Sequence, residues 1–148
     1  MENTNPKTRF NWLQQQVGKS MKFSPSPFAH WLDGTLLEVK EEGIKASFII
    51  RKDMTNPMGM LHGGVTAGIF DDIMGATFFG MDTEYFFPTI DLSVVYFAAA
   101  KEGDEVIAQT QIIKKGQTII YMEAFLYSQA GKLLAKCGSN IAKSQMKI

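Results

Sequence analysis

The stretch GGVTAGIFDDIMGATFF, residues 63–79, decides the fold, and NPMGMLH, residues 56–62, leads into it. Pro57 and Gly59 disfavour both helix and strand before Gly63. From Gly63 to Phe79 or a little beyond, the chain reads as one long apolar helix, interrupted only by Asp71 and Asp72. At 3.6 residues per turn, Gly64, Gly68, Asp71 and Gly75 fall on one stripe. Each glycine weakens a helix by about 1 kcal/mol relative to alanine, so a close approach must compensate: sheet backbone, a neighbouring helix or a ligand. Asp71 belongs to that surface. In an apolar groove, desolvation would raise its pKa and suit it to act as a general base or a nucleophile. Asp72 points about 100° away, beside Ile69 and Ala76, and is expected to do a different job, facing solvent or bonding a loop N–H.

Outward from this helix the pattern changes. Residues 6–19 read as an amphipathic helix, with Phe10, Leu13 and Val17 at three- and four-residue spacing between Pro6 and Gly18. SPSPFAHW (24–31) reads as a turn-rich connector. Residues 34–42 and 44–53 read as a hairpin turning at Gly43, and 87–98, 104–115, 117–128 and 132–143 as four further strands. The expected class is α+β: an antiparallel sheet with one face covered by the single apolar helix. The expected organisation is an N-terminal helix and connector over 1–33 and a single domain over 34–148.

Composition narrows the function classes. The chain has 148 residues, the size of one domain, and 45% hydrophobic, 11% aromatic and 20% charged residues, which suffice for an ordinary core. Fifteen basic and fifteen acidic side chains cancel, without the basic surplus of a nucleic-acid binder. A single cysteine, Cys137, can form neither an internal disulfide nor a zinc site by itself. The polar N-terminal stretch lacks the apolar run of a signal peptide, and two central aspartates at about 3 kcal/mol each argue against the long helix lying in lipid. A cytoplasmic protein that contacts neither membrane nor nucleic acid is expected.

The helix start carries the chemistry. The first N–H groups of a helix lack internal partners and sit at the positive end of its dipole. Gly63 and Gly64 leave those groups open to a ligand oxygen. They serve either as an oxyanion hole for a thioester or ester carbonyl or simply as a turn into the helix. His62 alone fits a structural hydrogen-bonding role more readily than that of a base. With no His-x-x-x-His, no cysteine pair and no Gly-x-Ser-x-Gly elbow, metal hydrolase and α/β-hydrolase readings lack support, and no metal is expected.

Asn56-Pro57, Leu61-His62-Gly63-Gly64, Asp71 nine residues after His62, and Thr89-Ile90-Asp91-Leu92 together resemble the PaaI-type acyl-CoA thioesterases of the hotdog-fold superfamily, relatives of 4-hydroxybenzoyl-CoA thioesterase. Residues 114–143 also resemble that family's last two strands, and the likeness covers about 34 to 143. It implies a hotdog fold, a sheet wrapped around the long helix, assembled as a homodimer or a dimer of dimers (a homotetramer). It also implies hydrolysis of acyl-CoA thioesters at a site between two subunits, with coenzyme A as part of the substrate and no cofactor. On this resemblance Asn56, His62 and the Gly63 N–H come from one subunit and Asp71 from its partner. Gly63 holds the thioester oxygen, Asp71 activates water or attacks directly, Asn56 positions water or thioester, and Thr89 orients the water or the aspartate. Gly64, Lys115 and Gln117 are the expected substrate-binding residues. Lys114 and Lys115, in a turn with Gly116 and Gln117, either meet coenzyme A phosphates or form a solvated surface. Phe78, Phe79, Phe86, Phe87, Met58, Met60, Met74 and Met81 cluster around the expected site, where they would suit an aromatic or medium-length acyl group, though core packing accounts more readily for most of them. The alternative function is a non-catalytic acyl-CoA binding protein or sensor on the same fold.

Overall fold

The computed structural model describes residues 7–148. Two short helices, α1 (Thr8–Gln14) and α2 (Pro27–Leu32), precede strands β1 (Thr35–Lys40) and β2 (Gly43–Ile49). Helix α3 (Gly63–Phe79) and strands β3 (Ser93–Tyr96), β4 (Glu105–Lys115), β5 (Ile119–Ser128) and β6 (Leu133–Ala142) follow. The strands form one six-stranded sheet in the order β1-β2-β4-β5-β6-β3, with every neighbouring pair antiparallel.

Strict alternation along the central strands explains why the sheet has one closed face. Val106, Ala108 and Thr110 of β4 and Ile120, Met122, Ala124 and Leu126 of β5 are buried, while their neighbours are more exposed. Ile69, Phe70, Ile73, Met74, Thr77 and Phe78 of α3 meet that face and are likewise buried. At about 1.5–3 kcal/mol for each large apolar side chain taken from water, this contact is the main stabilising layer. Its polar groups are paired. The Thr77 hydroxyl donates to the Ile73 carbonyl at 2.8 Å, so in the 2.7 Å contact between the two hydroxyls Thr110 must be the donor. The Thr110 oxygen in turn accepts the Ile44 N–H at 2.9 Å.

The sequence expectations hold for α3 and for β4, β5 and β6; the expected β1–β2 hairpin forms, but it turns at residues 41–42 with Gly43 opening β2, and β2 stops at Ile49 rather than 53. Three further expectations fail. The first helix, expected over 6–19, covers only Thr8–Gln14; Pro6 lies outside the described residues. Leu13 is buried, but Val17, expected to face inward, is exposed in the turn that follows. The connector 24–31 contains α2, whose Ser26 side chain accepts the Ala29 N–H and whose first residue is Pro27, a standard helix opening. The strand expected over 87–98 is regular only at Ser93–Tyr96. Pro88 has no N–H to donate, and residues 88–91 are held to β6 by scattered bonds instead, Ala142 N to the Pro88 carbonyl and Ile90 N to the Asn140 carbonyl. Asp91 anchors the segment by accepting from Asn140 N at 2.8 Å and from Asn140 Nδ2 at 2.9 Å, bonds that hold its pKa below the ordinary carboxylate value.

The N-terminal segment is a strap across the outer face of α3, clasped at both ends. Lys7 provides no side-chain cap for α1. Asp82, just beyond α3, takes that place by accepting from Arg9 N at 2.9 Å, Phe10 N at 3.1 Å and Arg9 Nε at 3.2 Å. At the other end the Arg51 guanidinium donates to the carbonyls of Leu32 and Trp31 and lies over the Trp31 ring. No helix among the described residues is long and apolar enough to cross a membrane.

Candidate active site

The site begins where irregular backbone becomes helix. Asn56 closes the preceding loop. Its side-chain oxygen accepts the N–H groups of Met58 at 2.9 Å and Met60 at 3.1 Å, leaving its amide NH₂ as a donor. His62 is the N-cap of α3, and its Nδ1 accepts the Gly64 N–H at 2.8 Å. A ring nitrogen that accepts carries no proton, so in the neutral imidazole Nε2 is the donor. On the other side of the same peptide unit, the Tyr96 hydroxyl donates to the Gly63 carbonyl at 2.6 Å. The Gly63–Gly64 peptide is thus gripped from both sides. With the Gly64 N–H used, Gly63 supplies the N–H of this helix start that meets no acceptor among the described residues.

Two turns further along α3, the Thr89 hydroxyl donates to Asp71 Oδ1 at 3.0 Å. The anchoring of Asp91 on β6 fixes the backbone that carries Thr89. Asp71, expected to be enclosed in an apolar groove, is exposed in the protomer. Burial falls instead on Asp72, which is half-buried and makes no hydrogen bond to any described residue. The expected bond to a loop N–H is absent among the described residues, and the expected exposure to solvent is only partial. Desolvation first, and the neighbouring Asp71 charge second, push its pKa up to about 6.

Both carboxylates border one cavity of about 570 Å³ between the strap and α3, lined also by Trp12, Phe23, Phe28, Gly75, Ala76, Phe79 and Phe86. The glycine stripe has divided uses here. A Cβ on Gly68 would meet the Phe28 ring at 2.5 Å, so α2 lies directly against it, whereas a Cβ on Gly75 would meet nothing within 4 Å. Of the aromatic and methionine residues expected around the site, Phe79 and Phe86 line the cavity. Phe78, Phe87 and Met74 are core, Met58 and Met60 are exposed on the loop, and Met81 belongs to a separate groove beyond the other end of α3. That groove holds Lys115 as well, with Gly80 and Asp82, and Gln117 is in the adjoining β4–β5 turn. Since 17 residues of helix span about 25 Å, Lys115 and Gln117 are not brought near Gly63 and Gly64 within one protomer. Among the described residues no group of three or more metal-ligating side chains occurs, and Cys137 is buried with its pKa pushed up to about 12, mainly by desolvation.

Sequence reasoning missed Tyr96 and the strap residues Trp12, Phe23 and Phe28. Nothing local marks Tyr96, because its partner is 33 residues away. Ser26-Pro27 was a usable signal for α2.

Residues 58–135 match the thioesterase superfamily. Acyl-coenzyme A thioesterase 13 of Mus musculus is 32% identical over 105 residues, covering 69% of this chain and 74% of the relative. The E. coli PaaI protein of the phenylacetic acid degradation operon superposes with a TM-score of 0.81 at 13% identity, over 96% of this chain and 99% of its own. A Streptococcus mutans protein bound to acetyl-CoA superposes with a TM-score of 0.72 at 16% identity, over 78% and 91%. The chain belongs to the thioesterase superfamily, and its fold is the hotdog that the sequence resemblance implied. It is a hydrolase of that family.

Proposed function

We propose that this chain hydrolyses acyl-CoA thioesters to free acid and coenzyme A, with Asp71 as the carboxylate that activates water or attacks the carbonyl. The observation that carries this reading is the Thr89–Asp71 contact of 3.0 Å on the open face of α3. It leaves one carboxylate oxygen for chemistry while the other is held. The Gly63 N–H suits the developing oxyanion, and the grip of His62 and Tyr96 on the next peptide keeps that donor from turning. His62 Nε2–H and the Asn56 NH₂ are further donors for the thioester or the attacking water. The acyl-CoA thioesterase at 32% identity supports the same reaction class.

Distance favours the participation of a second copy of the chain. Gly63 and Asp71 are eight residues apart on one helix, about 12 Å along its axis. A reacting carbonyl must lie about 3 Å from both donor and nucleophile. A homodimer that sets the Gly63 end of one protomer against Asp71 of the other meets this requirement, and a dimer of dimers preserves it. Gly64 and the turn carrying Lys115 and Gln117 would then contact substrate only as the pairing of copies allows.

The test is thiol release from acyl-CoAs by wild type and Asp71→Asn. Asparagine keeps an acceptor for Thr89 but is no base, and a loss of at least about a hundredfold is expected. Wild type that binds acyl-CoA yet releases no thiol would establish the binding-protein alternative. Equal rates for the two proteins would remove Asp71 from the chemistry.

A further inference from the structure

We propose that the cavity between the N-terminal strap and the outer face of α3 is the pocket for the acyl group, shaped for a compact apolar acyl chain or single ring, with Trp12, Phe23 and Phe28 as its outer wall and Gly75 as its floor. This rests on the thioesterase reading of Asp71. Four observations support the assignment. The cavity runs onto Asp71, so a carbonyl carbon attacked there carries its substituent straight into it. Its volume of about 570 Å³ falls within the roughly 300–1,000 Å³ of ligand pockets. Its walls are rings set edge to face, Trp12 with Phe23 at 5.3 Å and with Phe79 at 6.0 Å between centroids. Finally, the clasps at Asp82 and Arg51 hold the strap at both ends, so the outer wall is fixed and limits size.

The polar lining sharpens the substrate class. Ser24 and Ser26 hydroxyls are engaged as acceptors of the Ser26 and Ala29 N–H groups. Among the described residues no Lys, Arg or His lines the cavity. An acyl group ending in a carboxylate would therefore meet Asp71 and Asp72 with no cation to offset them, and the pocket selects against dicarboxylic acyl groups. Gly75 is the position where size can be tuned, because a side chain there grows into open space.

Thiol release with acetyl-, octanoyl-, phenylacetyl-, succinyl- and palmitoyl-CoA tests the proposal in wild type, Gly75→Leu and Trp12→Ala. Wild type should favour octanoyl and phenylacetyl over the other three. Gly75→Leu should lower the octanoyl-to-acetyl ratio of kcat/KM at least tenfold, within the about 10–200-fold that small size changes produce in apolar pockets. Trp12→Ala should raise palmitoyl relative to octanoyl. A Gly75→Leu protein in which every substrate changes by the same factor, or none changes, overturns the pocket while leaving the thioesterase reading intact. Thiol release from no substrate overturns that reading instead, and binding then decides the pocket. The thioether analogue of octanoyl-CoA should shift tryptophan emission to the blue in wild type but not in Trp12→Phe, and coenzyme A alone should shift neither. Absence of the wild-type shift overturns the assignment.

Discussion

The two faces of α3 differ in what their side chains are for. The inner face turns Thr66, Ile69, Phe70, Ile73, Met74, Thr77 and Phe78 inward; all are buried, and Thr77 is hydrogen-bonded. The outer face turns Gly68, Asp71, Asp72, Gly75 and Ala76 toward the strap, with a half-buried carboxylate that makes no hydrogen bond to any described residue and a glycine beside open space. The inner face follows the rule of close packing and satisfied polar groups. The outer face leaves open space beside Gly75 and a half-buried carboxylate without a protein partner among the described residues, and departures of this kind mark functional surfaces rather than stabilising ones. One helix thereby holds the sheet together and presents chemistry, because the two tasks lie on opposite sides of its axis.

Substitutions on the two faces should separate these tasks. Phe70→Ala, on the inner face, should cost about 3–5 kcal/mol in chemical denaturation, a large share of the about 5–15 kcal/mol available to a domain; a cost under 1 kcal/mol would erase the contrast. Asp71→Asn, on the outer face, should instead leave stability within about 0.5 kcal/mol while removing at least a hundredfold of the activity. Asp82→Ala should release α1 at about 0.5–2 kcal/mol, as loss of a helix cap does, seen as faster hydrogen exchange at the Arg9 and Phe10 amides with α3 still protected. If α3 is deprotected equally, the strap is no separate element.

Asp72 supplies a pH-dependent test. Its folded pKa of about 6 lies above the ordinary aspartate value of 3.8, so its contribution to stability is full below about 3.8 and declines as pH rises through about 6. Asp72→Asn should accordingly stabilise the protein by about 1–2 kcal/mol at pH 7, after allowing for the carboxylate's partial solvent contact, with the gain fading toward pH 4. A gain independent of pH would mean that ionisation is not the cause. The smallest expected effect is Gly75→Ala, which should raise Tm slightly through up to about 1 kcal/mol of helix propensity, since its methyl meets nothing.

Much of this was legible in the chain. The apolar run from Gly63 to Phe79, broken only by Asp71 and Asp72, and the alternation in residues 104–143 marked the helix and the three long strands, because those periodicities are local. The spacing of His62, Gly63 and Asp71 was legible for a related reason: all three lie on or at the start of one rigid helix of known pitch, so sequence separation translates directly into distance, whereas Thr89, outside that helix, was expected only from the family resemblance. The regular strand expected over 87–98 failed because Pro88 breaks the ladder and only the bonds to β6 say how the segment then runs.

By itself, then, the sequence determined the α+β class, the helix that carries Asp71 and the bareness of its start, all of which depend on neighbours within a few turns or on strict alternation. Tertiary structure alone decided which aspartate is desolvated, which aromatic rings enclose the cavity and what holds Gly63 in place. Asp72 is buried by a strap more than 40 residues earlier in the chain, α1 is capped by an aspartate 73 residues from Arg9, and the Gly63 carbonyl is bonded by Tyr96. Desolvation and hydrogen bonding depend on whatever is adjacent in space, and no local pattern records partners that distant.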